Sequence, residues 1–186
     1  MKTNEELEQE FIASCKDKTG LSIEEWMVEL APTGLKKLKE TTEFIKQEKG
    51  LNHMISNWIA GIFLNDGKPV FDQKVLRHKL LNNMPTERLF LELEAGIQKE
   101  IPQTSFVATK GYMSFRINRE YGCAKITKKE IKLGLDLGET PFEGRLLQAK
   151  SLGAMPRLSH MIVLVQTSDI DKEVFAWMKA AVKRIS

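Results

Sequence analysis

Around Pro102 the hydrophobic periodicity of this chain changes from near 3.6 residues to about 2, and no other feature restricts its fold as strongly. Before that point apolar residues recur at helical spacing: Ile55, Ile59, Ile62 and Phe63, then Leu89, Phe90, Leu93 and Ile97. After it, Met113, Phe115 and Ile117 alternate with Tyr112, Ser114, Arg116 and Asn118. Helices that precede a run of strands, rather than interleaving with them, define the α+β class. The expected architecture is an N-terminal helical unit followed by an antiparallel sheet packed against helices.

Local signals place the elements. Thr3 with Glu6, and Ser22 with Glu25, have capping-box spacing, so a helix should follow each. Leu35 to Lys49 reads as a third helix, with Leu35, Leu38, Thr42 and Ile45 on one face and Gly50 as a left-handed cap. Asn52 should cap a fourth. Asn65-Asp66-Gly67 is a turn signal that separates a helical domain, residues 1–66, from an α+β domain, residues 72–186. A helix over Asp72–Asn83 should bury Val75, Leu76, Leu80 and Leu81, and a longer one carries Leu89 to Ile97. Strands are expected at Phe106–Thr109, Met113–Ile117, Tyr121–Thr127, Ile131–Leu137 and Met161–Val165. Residues 139–157 read as a loop with one helical turn around Arg145–Lys150. Ser168 and Asp171 should cap a last helix that turns Val174, Trp177, Met178 and Ala181 to the core.

The net charge of +3 hides an asymmetry. Residues 1–66 carry 8 Lys/Arg against 12 Asp/Glu, whereas residues 103–186 carry 14 against 8, a net of +6. A basic second half invites a polyanion, or the acidic first half. No apolar run approaches the roughly 18 residues of a membrane span, and the acidic N-terminus has no signal-peptide core. Two distant cysteines, Cys15 and Cys123, fit a reduced, cytoplasmic chain without a disulfide framework.

Two stretches resemble known families. Thr19-Gly-Leu-Ser-Ile-Glu-Glu-Trp26, followed by Gly50-Leu-Asn-His-Met-Ile-Ser-Asn-Trp-Ile59, resembles a small helical domain of unknown function found in bacterial proteins. Gly111-Tyr-Met-Ser-Phe-Arg116, with Arg119-Glu-Tyr-Gly-Cys-Ala-Lys-Ile126 and the strand beyond Lys128-Lys129, resembles the α+β domain of unknown function often placed behind it. That second part is also broadly similar to sheet-and-helix modules of the YjbR/YdhG type, an analogy of fold alone. The helical family has a Gly-Leu-x-His stretch like the one here, which makes His53 its most distinctive polar residue. The resemblance implies no activity.

The residues themselves specify no reaction. There is no phosphate-binding glycine loop, no Gly-x-Ser-x-Gly elbow, and no second His or Cys at ligand spacing from His53, His78 or His160. No catalytic residue, metal or cofactor is therefore assigned. Lys110-Gly111-Tyr112 begins like an aromatic RNA-binding strand, but Tyr112 and Phe115 are three apart and must face opposite ways. If Phe115 is core, the solvent face carries Tyr112, Arg116, Lys125 and Lys132, a cationic strip with one ring. The leading reading is a binding module whose basic sheet face engages an anionic partner such as nucleic acid. A second is a small-molecule site or enzyme between helical unit and sheet, near His53, Tyr112 and Arg157. A third is a homodimeric scaffold joined through a sheet edge or an apolar helix face.

Overall fold

The computed structural model describes residues 2–154 and 156–185. Met1 and Ser186, which end the two expected domains, and Met155, inside the expected 139–157 loop, lie outside the described residues. Two compact units are present, residues 1–72 and 73–186. Among the described residues no helix is long and apolar enough to cross a membrane.

The first unit is helical: α1 (Asn4–Ala13), α2 (Cys15–Thr19), α3 (Ile23–Leu30), α4 (Leu38–Lys49) and α5 (His53–Phe63). Both capping boxes form, with the Thr3 and Ser22 hydroxyls accepting from the Glu6 and Glu25 amides. Gly50 ends α4 at φ 65°, and the Asn52 side chain caps α5 by accepting from the Ile55 amide. Phe11, Trp26, Leu30, Ile45, Ile59 and Ile62 build the core, with Phe11 edge-on to Trp58 at 5.2 Å. The buried Trp26 indole donates to Thr19 Oγ1 at 2.9 Å. One expectation is corrected. Helix α4 starts at Leu38, not Leu35, because Gly34 turns left-handed at φ 64° after a short 3₁₀ turn, and Leu38 is exposed. The unit runs past the Asn65–Gly67 turn because the buried Glu8 carboxylate accepts from the amides of Val70 and Phe71, each at 2.8 Å.

The second unit holds α6 (Gln73–Leu81), α7 (Glu87–Glu100), strands β1 (Ser105–Ala108), β2 (Met113–Arg116), β3 (Glu120–Ile126), β4 (Ile131–Leu135), β5 (Leu147–Gln148) and β6 (His160–Leu164), and α8 (Lys172–Ile185). The strands form one open antiparallel sheet in the order β1-β2-β3-β4-β6-β5, which makes the fold α+β. The expected helical turn near residues 145–150 is replaced by β5, whose Leu147 and Gln148 pair with Met161 and His160. At the opposite edge the Gln73 side chain takes the place of a strand. Its oxygen accepts from Ala108 N at 2.7 Å and its amide donates to Ala108 O at 3.1 Å. Val75, expected in the core, is 45% exposed, whereas Leu76, Leu80 and Leu81 are buried.

Register fixes the faces. Met113, Ala124, Leu133 and Ile162 form one row across the central strands, and Phe115, Gly122, Leu135 and His160 the next. All are buried. Helix α8 packs on β3 and β4 and buries Val174, Met178 and Ala181. Its Asp171 caps the first turn by accepting from Val174 N at 3.0 Å, while Trp177 stays half-buried beneath the Arg145 guanidinium. Helices α7 and α8 meet at Gly96. A Cβ there would come within 2.4 Å of Phe175 Cζ, so close approach explains a glycine that costs about 1 kcal/mol in a helix.

Candidate functional site

The other face of the sheet carries Ser114, Cys123, Gly134 and Met161 in one row, and Lys125, Lys132 and Val163 in the next. Strict alternation from Cys123 would put Tyr121 on this face and Glu120 in the core. A β-bulge reverses that parity. Phe115 pairs with Gly122 but Arg116 pairs with Glu120, so β3 holds one extra residue, Tyr121. Tyr121 turns inward against Phe115, with ring centroids 6.4 Å apart, and its hydroxyl meets that of Thr104 at 2.8 Å. Burial pushes this phenol up to about 12, although the Thr104 bond pulls the other way. Glu120 is thereby delivered to the outer face, beside Ser114 and Arg116.

A polar cluster results. Ser114 Oγ donates to Glu120 Oε1 at 2.5 Å and accepts from Arg116 Nε at 2.9 Å. Ser114 is fully buried and Glu120 is 5% exposed. Tyr112 stands half-buried beside them. Burial first, and then the neighbouring Glu120 carboxylate, raise its phenol to about 12, against a smaller opposing pull from Arg116. Tyr112 is therefore a proton donor throughout the physiological range.

Alternation alone suggested an open face, but the Ser114–Met161 row is buried, and the Lys125–Val163 row beside it is half-exposed. Residues 149–154 and 156–158 cross this face as a strap. Leu152 and Leu158 pack on Cys123 and Met161, with Tyr112, Ala149, Ala154 and Val163 around them. Gly134 leaves the room: a Cβ there would lie 2.5 Å from Leu152 Cδ1 and 2.9 Å from Cys123 Sγ. Two cations hold the strap. Lys125 Nζ donates to the Ser151 carbonyl, and the Arg157 guanidinium donates to the Glu120 carbonyl at 3.3 Å. Burial under the strap, and Glu120 nearby, push the Cys123 thiol up to about 12, so it is inert rather than nucleophilic. A cleft of about 300 Å³ runs along the strap itself, lined by residues such as Gln148, Leu152, Leu158 and Ser159 and by none of the six expected site residues.

Five of those six, Tyr112, Arg116, Lys125, Lys132 and Arg157, are on or against this face. Lys132 lies directly opposite Lys125 and pairs with Glu130 at 3.5 Å. His53 belongs to the helical unit, where it is the exposed first residue of α5. Sequence reasoning missed Glu120 and the strap. Gly122 was the available signal for Glu120, since a glycine inside a strand marks a bulge or a close backbone approach. A Cβ at Gly122 would sit 3.0 Å from the Gly134 carbonyl. Among the described residues no three His, Cys, Asp or Glu side chains converge as a metal site requires.

An open antiparallel sheet with helices on one face and a strap on the other defines the class as a small α+β domain. Residues 81–183 match the family described as a domain of unknown function (DUF5655), and the chain belongs to it. No curated protein and no solved structure matches the chain.

Proposed function

We propose that the protein is a cytoplasmic binding module that engages an anionic partner, nucleic acid being the class, through the outer face of its sheet. The observation that carries this reading is the state of the cations there. Lys125, Arg116 and Arg157 donate to a carbonyl, a hydroxyl and a carbonyl, neutral oxygens that leave the positive charge in place. Four cations, Arg116, Lys125, Lys132 and Arg157, stand against two carboxylates, Glu120 and Glu130, which leaves a local balance of +2. A phosphate at 4 Å from one such cation gains about 1 kcal/mol in water and about 4 kcal/mol in the lower effective dielectric near a protein surface. A lone anion is therefore held weakly, and a polyanion that meets several cations at once is the fitting partner. Tyr112 offers no stacking platform, because the strap packs against it and its hydroxyl is already bonded to Glu120.

Cys15 and Cys123, both buried and free, support a reducing compartment. The likeness of the helical unit to a small bacterial domain adds nothing to the anion reading. The test is a nucleic-acid titration at several salt concentrations with wild-type protein and the R116A/K125A double variant. Binding at low salt that fades with added salt, and is lost in the variant, is the expected result. Salt-independent binding, or an unaffected variant, would remove the outer face from consideration.

A further inference from the structure

We propose that the β3–β4 hairpin is a docking ridge for the phosphate backbone of duplex nucleic acid, which deepens and rests on the anion-binding reading above. Within residues 125–132 four lysines, Lys125, Lys128, Lys129 and Lys132, face a single carboxylate, Glu130. Lys125 and Lys132 are a directly opposed pair on the outer face, and Lys128 and Lys129 are exposed at the tip. The strands rise about 3.3 Å per residue, so these four ammonium groups span on the order of 10 Å. A duplex presents one phosphate charge per about 1.7 Å of its axis, or roughly six over that length, enough for each lysine to meet one.

The tip is held rather than loose. Thr127 Oγ1 donates to the Glu130 carbonyl at 2.8 Å and accepts from the Glu130 and Lys129 amides at 3.2 and 3.4 Å. Thr86 Oγ1 donates to the Thr127 carbonyl at 2.5 Å and ties the turn to the residue preceding α7. A fixed turn presents its charges with little backbone ordering left to do on binding. The ridge also has no ring. Residues 125–132 contain no aromatic residue, and Tyr112 is half-buried under the strap. Single-strand binders gain much of their affinity by stacking bases on aromatics. A basic ridge without rings reads the backbone of a duplex, independent of sequence.

Fluorescence anisotropy with two unrelated DNA duplexes of about 20 base pairs, and with one of their single strands, tests this across roughly 50 to 200 mM salt. Four neutralised phosphates give the ridge a log–log salt slope of about −3.6, a loss of about 150-fold over that range. K128A/K129A should reduce the slope by about 1.8, leaving the ridge a loss of about 12-fold. The control K36A/K39A removes the same charge from exposed positions of the helical unit and should leave the slope unchanged. The ridge is overturned if K128A/K129A keeps the wild-type slope, if the control lowers it equally, or if the single strand binds more tightly than either duplex. Loss of binding in R116A/K125A with full retention in K128A/K129A rejects the ridge alone. Absence of any nucleic-acid binding by the wild type rejects both readings.

Discussion

Changing Tyr121 to Phe deletes one buried oxygen, and the cost of that deletion reports which way β3 turns at its bulge. The Tyr121 ring is fully buried, Thr104 is 5% exposed, and their hydroxyls lie 2.8 Å apart. Removing the phenol oxygen leaves the Thr104 hydroxyl without that partner in an enclosed site, which costs about 1–3 kcal/mol. Thr104→Val should cost a similar amount by stranding the phenol. In the double variant Y121F/T104V both polar atoms are gone, so the two losses should fail to add, with a coupling of about 1–2 kcal/mol. Urea unfolding, with hydrogen exchange of the β3 and β4 amides to localise the effect, measures all three. A Y121F variant as stable as wild type would place the phenol in water. Tyr121 would then face outward, Glu120 would lie in the core, and the outer polar cluster would not exist.

Leu152→Ala should free the strap: limited proteolysis within residues 149–158 becomes faster, and global stability falls by less than the 2–5 kcal/mol typical of a buried leucine because the segment detaches locally. Unchanged cleavage would mean that Leu152 does not anchor it. Tyr121 and Cys123 have folded pKa values near 12, above the ordinary 10 and 9, so their contribution is complete below pH 9 and is lost as pH rises from 9 to 12. Tyr121 alone accounts for about 2–3 kcal/mol of that loss, and a flat urea midpoint across the window would contradict it. At pH 8 native protein should leave Cys123 unlabelled by a thiol reagent, whereas unfolded protein reacts at both cysteines. Rapid native labelling at Cys123 would show that the strap leaves it accessible.

The elements governed by one segment were legible in the sequence. Thr3/Glu6 and Ser22/Glu25 announced helix starts because a capping box is written within four residues. The 3.6-to-2 change announced the sheet because period reports a face. What needed a partner was hidden. The bulge at Tyr121 exists only in the pairing of β3 with β2, and it moves Glu120 to the other side of the sheet without altering the apolar pattern. The strap was hidden for a related reason. Leu152 and Leu158 sit in a stretch with Gly153 and Pro156 that reads as loop, and their burial depends on Gly134 of β4 leaving space. Strand β5 has only two residues, too few for any period to show. Arg116, Lys125 and Lys132 were assignable to the outer face because alternation is unbroken in β2 and β4 and, in β3, beyond the bulge.

The proposed contact between the outer sheet face and an anionic partner can be read residue by residue from amide chemical shifts of the intact chain, titrated with a DNA duplex at low salt. The predicted result is a contiguous set of perturbed amides at Ser114, Arg116, Lys125 to Lys132 and Ser151, with α8 unmoved. Perturbation centred instead on Lys172, Lys179 and Lys183 of α8, or none at all, would contradict it.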